Sequence, residues 1–264
     1  MQATIGDRRV GYDSFGSGIP LLLIHAFPLN RTMYAEQNKE LAKGARVVSF
    51  DAPGVGNSES AEVSIDGLAD LAVGLMDALH IQTAVVGGVS MGGYAALAFA
   101  RLYPDRLRGL ILADTRAAAD SPEGRKGRQE MADVALNEGS AAIAERMIPR
   151  VLGATTLKRR RKIVDRVRGM IESTPPEAIA ALSLALGGRC DSTALLSDIR
   201  VPTLVVTGEE DALTPASEAR EWGGKIRHAK IVEIPDAGHL ANIETPDRFN
   251  SIVREFLEGL PPSR

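Results

Sequence analysis

The chain has 264 residues, 44% of them hydrophobic and 25% charged, with a net charge of −3. That is enough chain to bury one large core with an appended lobe, and its slight acidity gives no electrostatic footprint for nucleic acid. The lone Cys190 excludes an intramolecular disulfide and argues against a cysteine-built metal site. The charged N-terminus does not read as a secretory signal, and no run of about 18 apolar residues offers a membrane span, so the expectation is a cytoplasmic protein.

In chain order, the first 17 residues read as a short β-hairpin, alternating through Gln2–Ile5 and Arg8–Tyr12. Apolar runs then mark strands at Ile19–His25, Arg46–Phe50, Thr83–Val86, Leu107–Ala113, Pro202–Thr207 and Lys230–Ile234. Continuous runs of Val, Leu and Ile suit parallel strands covered on both faces. Helices fall between them. Leu68, Leu71, Leu75, Met76 and Leu79 recur at helical spacing, Tyr94–Leu102 is rich in helix formers, and Arg248–Leu257 follows a Glu244-Thr245-Pro246 start signal. Alternating strands and helices with right-handed crossovers predict an α/β fold, a doubly wound and mostly parallel sheet. From Arg116 to Arg200 the rhythm breaks into helical patterns alone, a stretch too long for a crossover. We therefore expect residues 1–115 and 201–264 to form the core and 116–200 an inserted helical cap. The cap carries 15 Lys/Arg against 11 Asp/Glu, much of the excess in Lys158–Lys162. Such a run reads first as a solvated helix face; the sharper alternative is a positive mouth that draws anionic substrates.

The chemistry concentrates at Gly88-Val89-Ser90-Met91-Gly92, where a strand pattern meets a helix pattern. Glycines two residues either side of a serine allow a sharp, strained strand-to-helix turn that exposes the hydroxyl. An ordinary Gly-rich turn or a phosphate loop would use similar residues, but no Gly-Lys-Ser/Thr follows and the dinucleotide spacing is absent. A serine nucleophile needs a base, and the base needs a carboxylate. Of the four histidines, His80 and His228 read as surface residues. His239 lies on a Gly-containing loop just past the last strand, on the sheet edge where Ser90 also falls. Asp211 follows Pro202–Thr207 and completes the order Ser90, Asp211, His239. Asp114 ends another strand on that edge and remains a rival, with Glu209 and Glu210 weaker ones. The backbone amide of Met91 and an amide from His25-Ala26-Phe27-Pro28 are the expected oxyanion donors. Pro28 has no N–H, and Phe27 is better placed than Ala26. His25 reads as a brace for this loop.

These segments, with Asp51–Ser58, Gly208–Pro215 and Asp236–Pro246, resemble the α/β-hydrolase fold superfamily, in particular its serine esterase, lactonase and cofactor-free haloperoxidase group. The resemblance runs from residue 25 to residue 246. It implies Ser90 as nucleophile, Asp211 as acid, His239 as base, the Phe27 and Met91 amides as oxyanion hole, no cofactor and no metal. It also implies that Asp51–Ser58 is structural. Ala26 stands where the family usually has Gly, and Pro53 where many members have Arg. The expected activity is hydrolysis of a small carboxylic ester or lactone, with perhydrolase activity or a slow, receptor-like ligand-binding role as alternatives. The expected partner is a small ester or lactone, with neither nucleic acid nor membrane; self-association into a homo-oligomer is left open.

Overall fold

The computed structural model describes residues 1–261; the final three residues of the expected 201–264 core segment lie outside the described residues. Eight strands form one sheet: β1 (Gln2–Ile5), β2 (Arg8–Phe15), β3 (Ile19–Ile24), β4 (Ala45–Phe50), β5 (Ala84–Val89), β6 (Leu107–Ala113), β7 (Thr203–Gly208) and β8 (Ala229–Ile234). Their spatial order is β1-β2-β4-β3-β5-β6-β7-β8. The β1–β2 and β2–β4 pairs are antiparallel, and β3 to β8 are parallel. The chain leaves β3 for β4 on one side and then returns to place β5 on the other. The loops after β3 and β5 therefore flank the switch point, where open α/β sheets form their crevices.

The apolar runs become strands because the central positions are covered on both faces. Every residue of β5 and β7 is buried, whereas β8, at the sheet edge, is only partly so. The structure extends β5 beyond the expected Val86 through Gly87, Gly88 and Val89. These pair with Ile111, Leu112 and Ala113 of β6, so the ladder overrides the low strand propensity of glycine.

Helices α1 (Ala35–Leu41), α2 (Ile65–Ala78), α3 (Met91–Leu102), α8 (Ala216–Gly223) and α10 (Pro246–Glu258) flank the sheet, with a single turn, α9 (Ala241–Glu244), before α10. In α2 the Ser64 hydroxyl accepts from the Gly67 amide as an N-cap, and Leu68, Leu71, Leu75 and Met76 are buried. Each such side chain contributes about 1.5–3 kcal/mol of burial.

Between β6 and β7 lie α4 (Pro122–Val151), α5 (Ala154–Arg159), α6 (Arg161–Glu172) and α7 (Pro176–Gly187), with no strand among the described residues there. α4 breaks direction at Gly139, φ 83°, and packs against α6 and α7. No helix among the described residues is long and apolar enough to cross a membrane.

The β5–α3 turn needs its glycines for space. A Cβ on Gly92 would overlap the Ile24 carbonyl of β3, and one on Gly88 would overlap the Gly92 backbone. Gly92→Ala is therefore expected to cost about 1–3 kcal/mol by the usual penalty for overpacking. Urea unfolding of the purified variant measures it.

Candidate active site

Ser90 sits between β5 and α3 at φ 54° and ψ −111°, a left-handed backbone that a non-glycine residue adopts at a cost of about 1–3 kcal/mol. The turn is held by its neighbours: the Ser90 amide donates to the Ala113 carbonyl at 2.9 Å. The hydroxyl meets His239 Nε2 at 2.7 Å. His239 Nδ1 lies 2.8 Å from Asp211 Oδ2. An Nδ1–H donated to the carboxylate leaves Nε2 as the acceptor for the serine proton.

Asp211 is fixed in turn. Its Oδ1 accepts from the Leu213 amide at 2.8 Å and the Thr214 amide at 3.0 Å, and its Oδ2 accepts the Thr214 hydroxyl at 2.5 Å. Burial pushes this carboxyl up, but the hydrogen bond and charge of His239 and the Thr214 donors outweigh burial and hold it below the usual carboxylate value. A lowered folded value means the stabilisation is present at neutral pH and is lost only as pH falls through that value.

The rivals for the acid have other partners. Asp114 is fully buried, accepts from the Gly208 amide at 2.8 Å and the Ala241 amide at 3.2 Å, and does not bond His239. Burial, and then the charge of Asp211, push its carboxyl well above the usual value. Glu210 takes the Thr155 amide and hydroxyl of α5, and Glu209 is exposed. His80 and His228 are exposed.

The two amides expected from the sequence as oxyanion donors are each oriented by the carbonyl on the other side of its own peptide plane. In a trans peptide, C=O and N–H point in opposite directions. The Ala26 carbonyl accepts from His25 Nδ1 at 2.9 Å and from the Leu29 amide at 2.8 Å. That fixes the plane carrying the Phe27 N–H, so Ala26 leaves this peptide doubly anchored. The Ser90 carbonyl accepts from the Gly93 and Tyr94 amides at 2.9 and 3.1 Å and from the Thr115 hydroxyl at 2.9 Å. That fixes the Met91 N–H at the start of α3. Neither the Phe27 nor the Met91 amide has a partner among the described residues.

His25 is fully buried, and burial, the largest influence on it, lowers its pKa. The neutral ring gives Nδ1–H to Ala26 and takes the Ala52 amide on Nε2 at 2.9 Å. Below it the Asp51–Ser58 loop closes around Asp51. That carboxylate accepts the Arg31 amide at 2.9 Å and the Asn57 amide at 3.0 Å and pairs with the Arg31 guanidinium. None of its residues lines the cavity above Ser90. With Pro53 in the loop, Arg31 supplies the cation that meets Asp51.

That cavity, about 480 Å³, is walled by Phe27, Ser90, Leu213, Thr214 and His239 from the sheet side and by Met131, Met147, Val151 and Leu186 from the helices between β6 and β7. Arg116, Arg128 and Arg150 also line it. Arg128 pairs with Asp120 at 2.9 Å, Asp120 also holds Arg189 at 2.8 Å, and Arg116 donates to the Leu213 carbonyl and faces Glu218 at 3.5 Å. Arg150 has no side-chain partner among the described residues. The basic run Lys158–Lys162 does not line the cavity. Lys158, Arg159, Arg161 and Lys162 are exposed, and Arg160 binds backbone carbonyls. The arginines that line the cavity are instead scattered in sequence, and Asp120 and Glu123 line it beside them.

Sequence reasoning missed Thr214, Thr115 and the cavity arginines. Only Thr214 carried a signal, three residues after Asp211 in an Asp-x-x-Thr turn.

A model of the alpha/beta hydrolase fold matches residues 19–246. A thermophilic esterase from Thermogutta terrifontis, solved with malate bound, is 42% identical with a TM-score of 0.94, covering 98% of this chain and 97% of that one. The enol-lactonase from Burkholderia xenovorans LB400 is 31% identical with a TM-score of 0.90, over 98% and 100% of the two chains. The 3-oxoadipate enol-lactonase 2 of Acinetobacter baylyi is 26% identical over 97% of this chain and 95% of its own length.

The geometry separates the two aspartates. Asp211→Asn is expected to lower kcat by about 10³–10⁴, because an amide cannot hold the imidazole in the Nδ1–H tautomer. Asp114→Asn, which keeps one acceptor oxygen for its two amides, should stay within about tenfold of the parent. Steady-state kinetics on a chromogenic ester compares them directly.

Proposed function

The chain belongs to the alpha/beta hydrolase family, and from that premise we propose that it hydrolyses a small carboxylic ester or lactone through an acyl intermediate on Ser90. The observation that carries this reading is the continuous relay from Ser90 Oγ through both ring nitrogens of His239 to Asp211, opening into the cavity.

In this mechanism Ser90 Oγ attacks the acyl carbon while its proton passes to His239 Nε2. The imidazolium is stabilised by Asp211. The carbonyl oxygen becomes an oxyanion facing the Phe27 and Met91 amides, each such donor being worth about 10²–10³ in rate. Collapse of the tetrahedral adduct breaks the C–O bond, and His239 returns the proton to the leaving oxygen. For a lactone that oxygen stays tethered to the acyl group. Water then gives a proton to His239 and attacks the acyl carbon, a second tetrahedral adduct collapses, and Ser90 recovers its proton as the acid departs.

On the same reading the preferred substrate carries a carboxylate. Among the described residues Arg150 is the cavity arginine without a salt-bridge partner, which leaves it available to a ligand, whereas Arg116 and Arg128 are already paired. The esterase from Thermogutta terrifontis was solved with malate, a dicarboxylate, bound, which is in keeping with this reading.

Ser90→Ala should lower turnover of p-nitrophenyl acetate by several powers of ten; unchanged turnover removes Ser90 from the mechanism. Arg150→Met should raise KM for p-nitrophenyl hydrogen succinate by about fivefold, the worth of one partly solvated ion pair, and leave KM for the neutral acetate ester unchanged. Added salt should erase that difference in the parent enzyme.

A further inference from the structure

The helices between β6 and β7 join the catalytic loops at one seam. The backbone amide of His239 donates to the Val151 carbonyl, the last residue of α4, at 3.1 Å. Two residues on, Gly153 lies against Gly238. A Cβ on Gly153 would stand 2.9 Å from the Gly238 amide, and one on Gly238 would stand 2.8 Å from the Leu152 carbonyl carbon. The two backbones touch and leave no room for side chains between them.

Glu244, in α9, bridges this seam. It is 2% exposed. One carboxylate oxygen accepts the Gly153 amide at 2.9 Å, and the other accepts the Gly238 amide at 2.9 Å and the Leu240 amide at 3.3 Å. The amides immediately before and after His239 thus share one oxygen, while its partner oxygen holds the α4–α5 junction. Arg160, past the end of α5, donates to the Asp236 carbonyl at 2.8 Å and the Glu244 carbonyl at 3.0 Å. The acid loop is tied in as well: Glu210, beside Asp211, accepts the Thr155 amide at 2.8 Å and donates its own amide to the Ala237 carbonyl at 2.8 Å.

We infer that Glu244 and Arg160 are positioning residues that mount the His239 loop on the α4–α5 junction, so that this end of the helical insertion sets the Ser90–His239 distance as well as walling the cavity. The inference rests on His239 being the base, as proposed above. Its consequence is specific. A change at the seam shifts the imidazole relative to the hydroxyl and falls on kcat, whereas a change to a lining residue such as Arg150 falls on KM. Motion of the insertion on substrate entry is confined to parts away from this junction.

The test uses the full chain. Arg160→Met removes the half-buried arginine side of the clamp and Glu244→Gln the buried carboxylate side, leaving one amide oxygen for the donors that two oxygens serve now. Arg161→Met, the next residue of the same basic run, paired with Asp165 in solvent, is the control. Each variant is checked for the parent circular dichroism and urea midpoint. Kinetics are then measured on p-nitrophenyl acetate, with the downfield proton resonance of the His239–Asp211 hydrogen bond as a second readout. The expected result is a fall in kcat of about five- to thirtyfold for Arg160→Met and Glu244→Gln with KM within twofold, a shifted or broadened downfield resonance, and parent behaviour for Arg161→Met. Parent kcat in both folded seam variants, a loss confined to KM, or an equal loss in Arg161→Met overturns the inference. The two proposals fail separately: turnover surviving in Ser90→Ala sinks the hydrolytic reading, while an inactive Ser90→Ala beside fully active seam variants sinks only this one.

Discussion

The site depends on one strained residue. Ser90 holds a left-handed backbone because β5, β6 and α3 leave it no alternative. Its amide closes the β6 ladder and its carbonyl takes three donors. The same constraint performs two tasks. It brings the hydroxyl to His239, and it pins the Ser90–Met91 peptide so that the Met91 N–H is left without a partner among the described residues. In the proposed mechanism, strain of about 1–3 kcal/mol is the cost of preorganisation that would otherwise have to be met during each turnover. The loop after β3 repeats the logic by another route: a neutral, buried His25 pins the Ala26 carbonyl and thereby the Phe27 amide. The topological switch between β3 and β5 puts these two peptides on either side of one crevice.

Three buried carboxyls surround the relay, and their partners divide the labour. Asp211 meets an imidazole that can become cationic, so its charged form is favoured despite burial. Asp114 meets backbone amides, Glu244 meets backbone amides and the Thr156 hydroxyl, and burial pushes both above their usual values. A carboxyl whose only compensation is dipolar is suited to tying loops together and poorly suited to answering a proton transfer. The division explains why two strand-end aspartates on one sheet edge serve different ends. Asp114 follows β6 directly and accepts the amide that closes β7, while Asp211, three residues beyond β7, is carried by the turn into reach of His239.

The core of this arrangement is local in sequence, which is why it could be read there. Strand runs, the Gly-x-Ser-x-Gly turn and the strand-end loops that carry Asp211 and His239 are each encoded within a few residues. Strand ends were less legible. Gly87 and Gly88 look like the end of a strand until β6 is known to lie beside them. Choosing between Asp114 and Asp211 needed the third dimension, because both satisfy the same positional rule. The basic run is the solvated helix face it first reads as, and the alternative of a positive mouth built from it does not hold. Lys158–Lys162 is conspicuous because it is contiguous, yet contiguity on short helices spreads side chains around the axis and into solvent. Arg116, Arg128 and Arg150 are far apart in sequence and share a wall only after α4 folds back over the sheet.

Helical periodicity in the insertion says which residues are buried against one another, and nothing about what the insertion holds in place. Its junction with the core is made largely of backbone: Val151 carbonyl to His239 amide, Gly153 against Gly238, Arg160 to two carbonyls. Backbone contacts leave almost no compositional trace beyond two glycines and one buried acid. A rigid joint at one end and a direction change at Gly139 within α4 divide the insertion into a part bound to the catalytic loops and a part farther along the chain from them. Lining side chains on both parts, such as Met131 before Gly139 and Arg150 after it, can then vary while the backbone joint keeps its geometry.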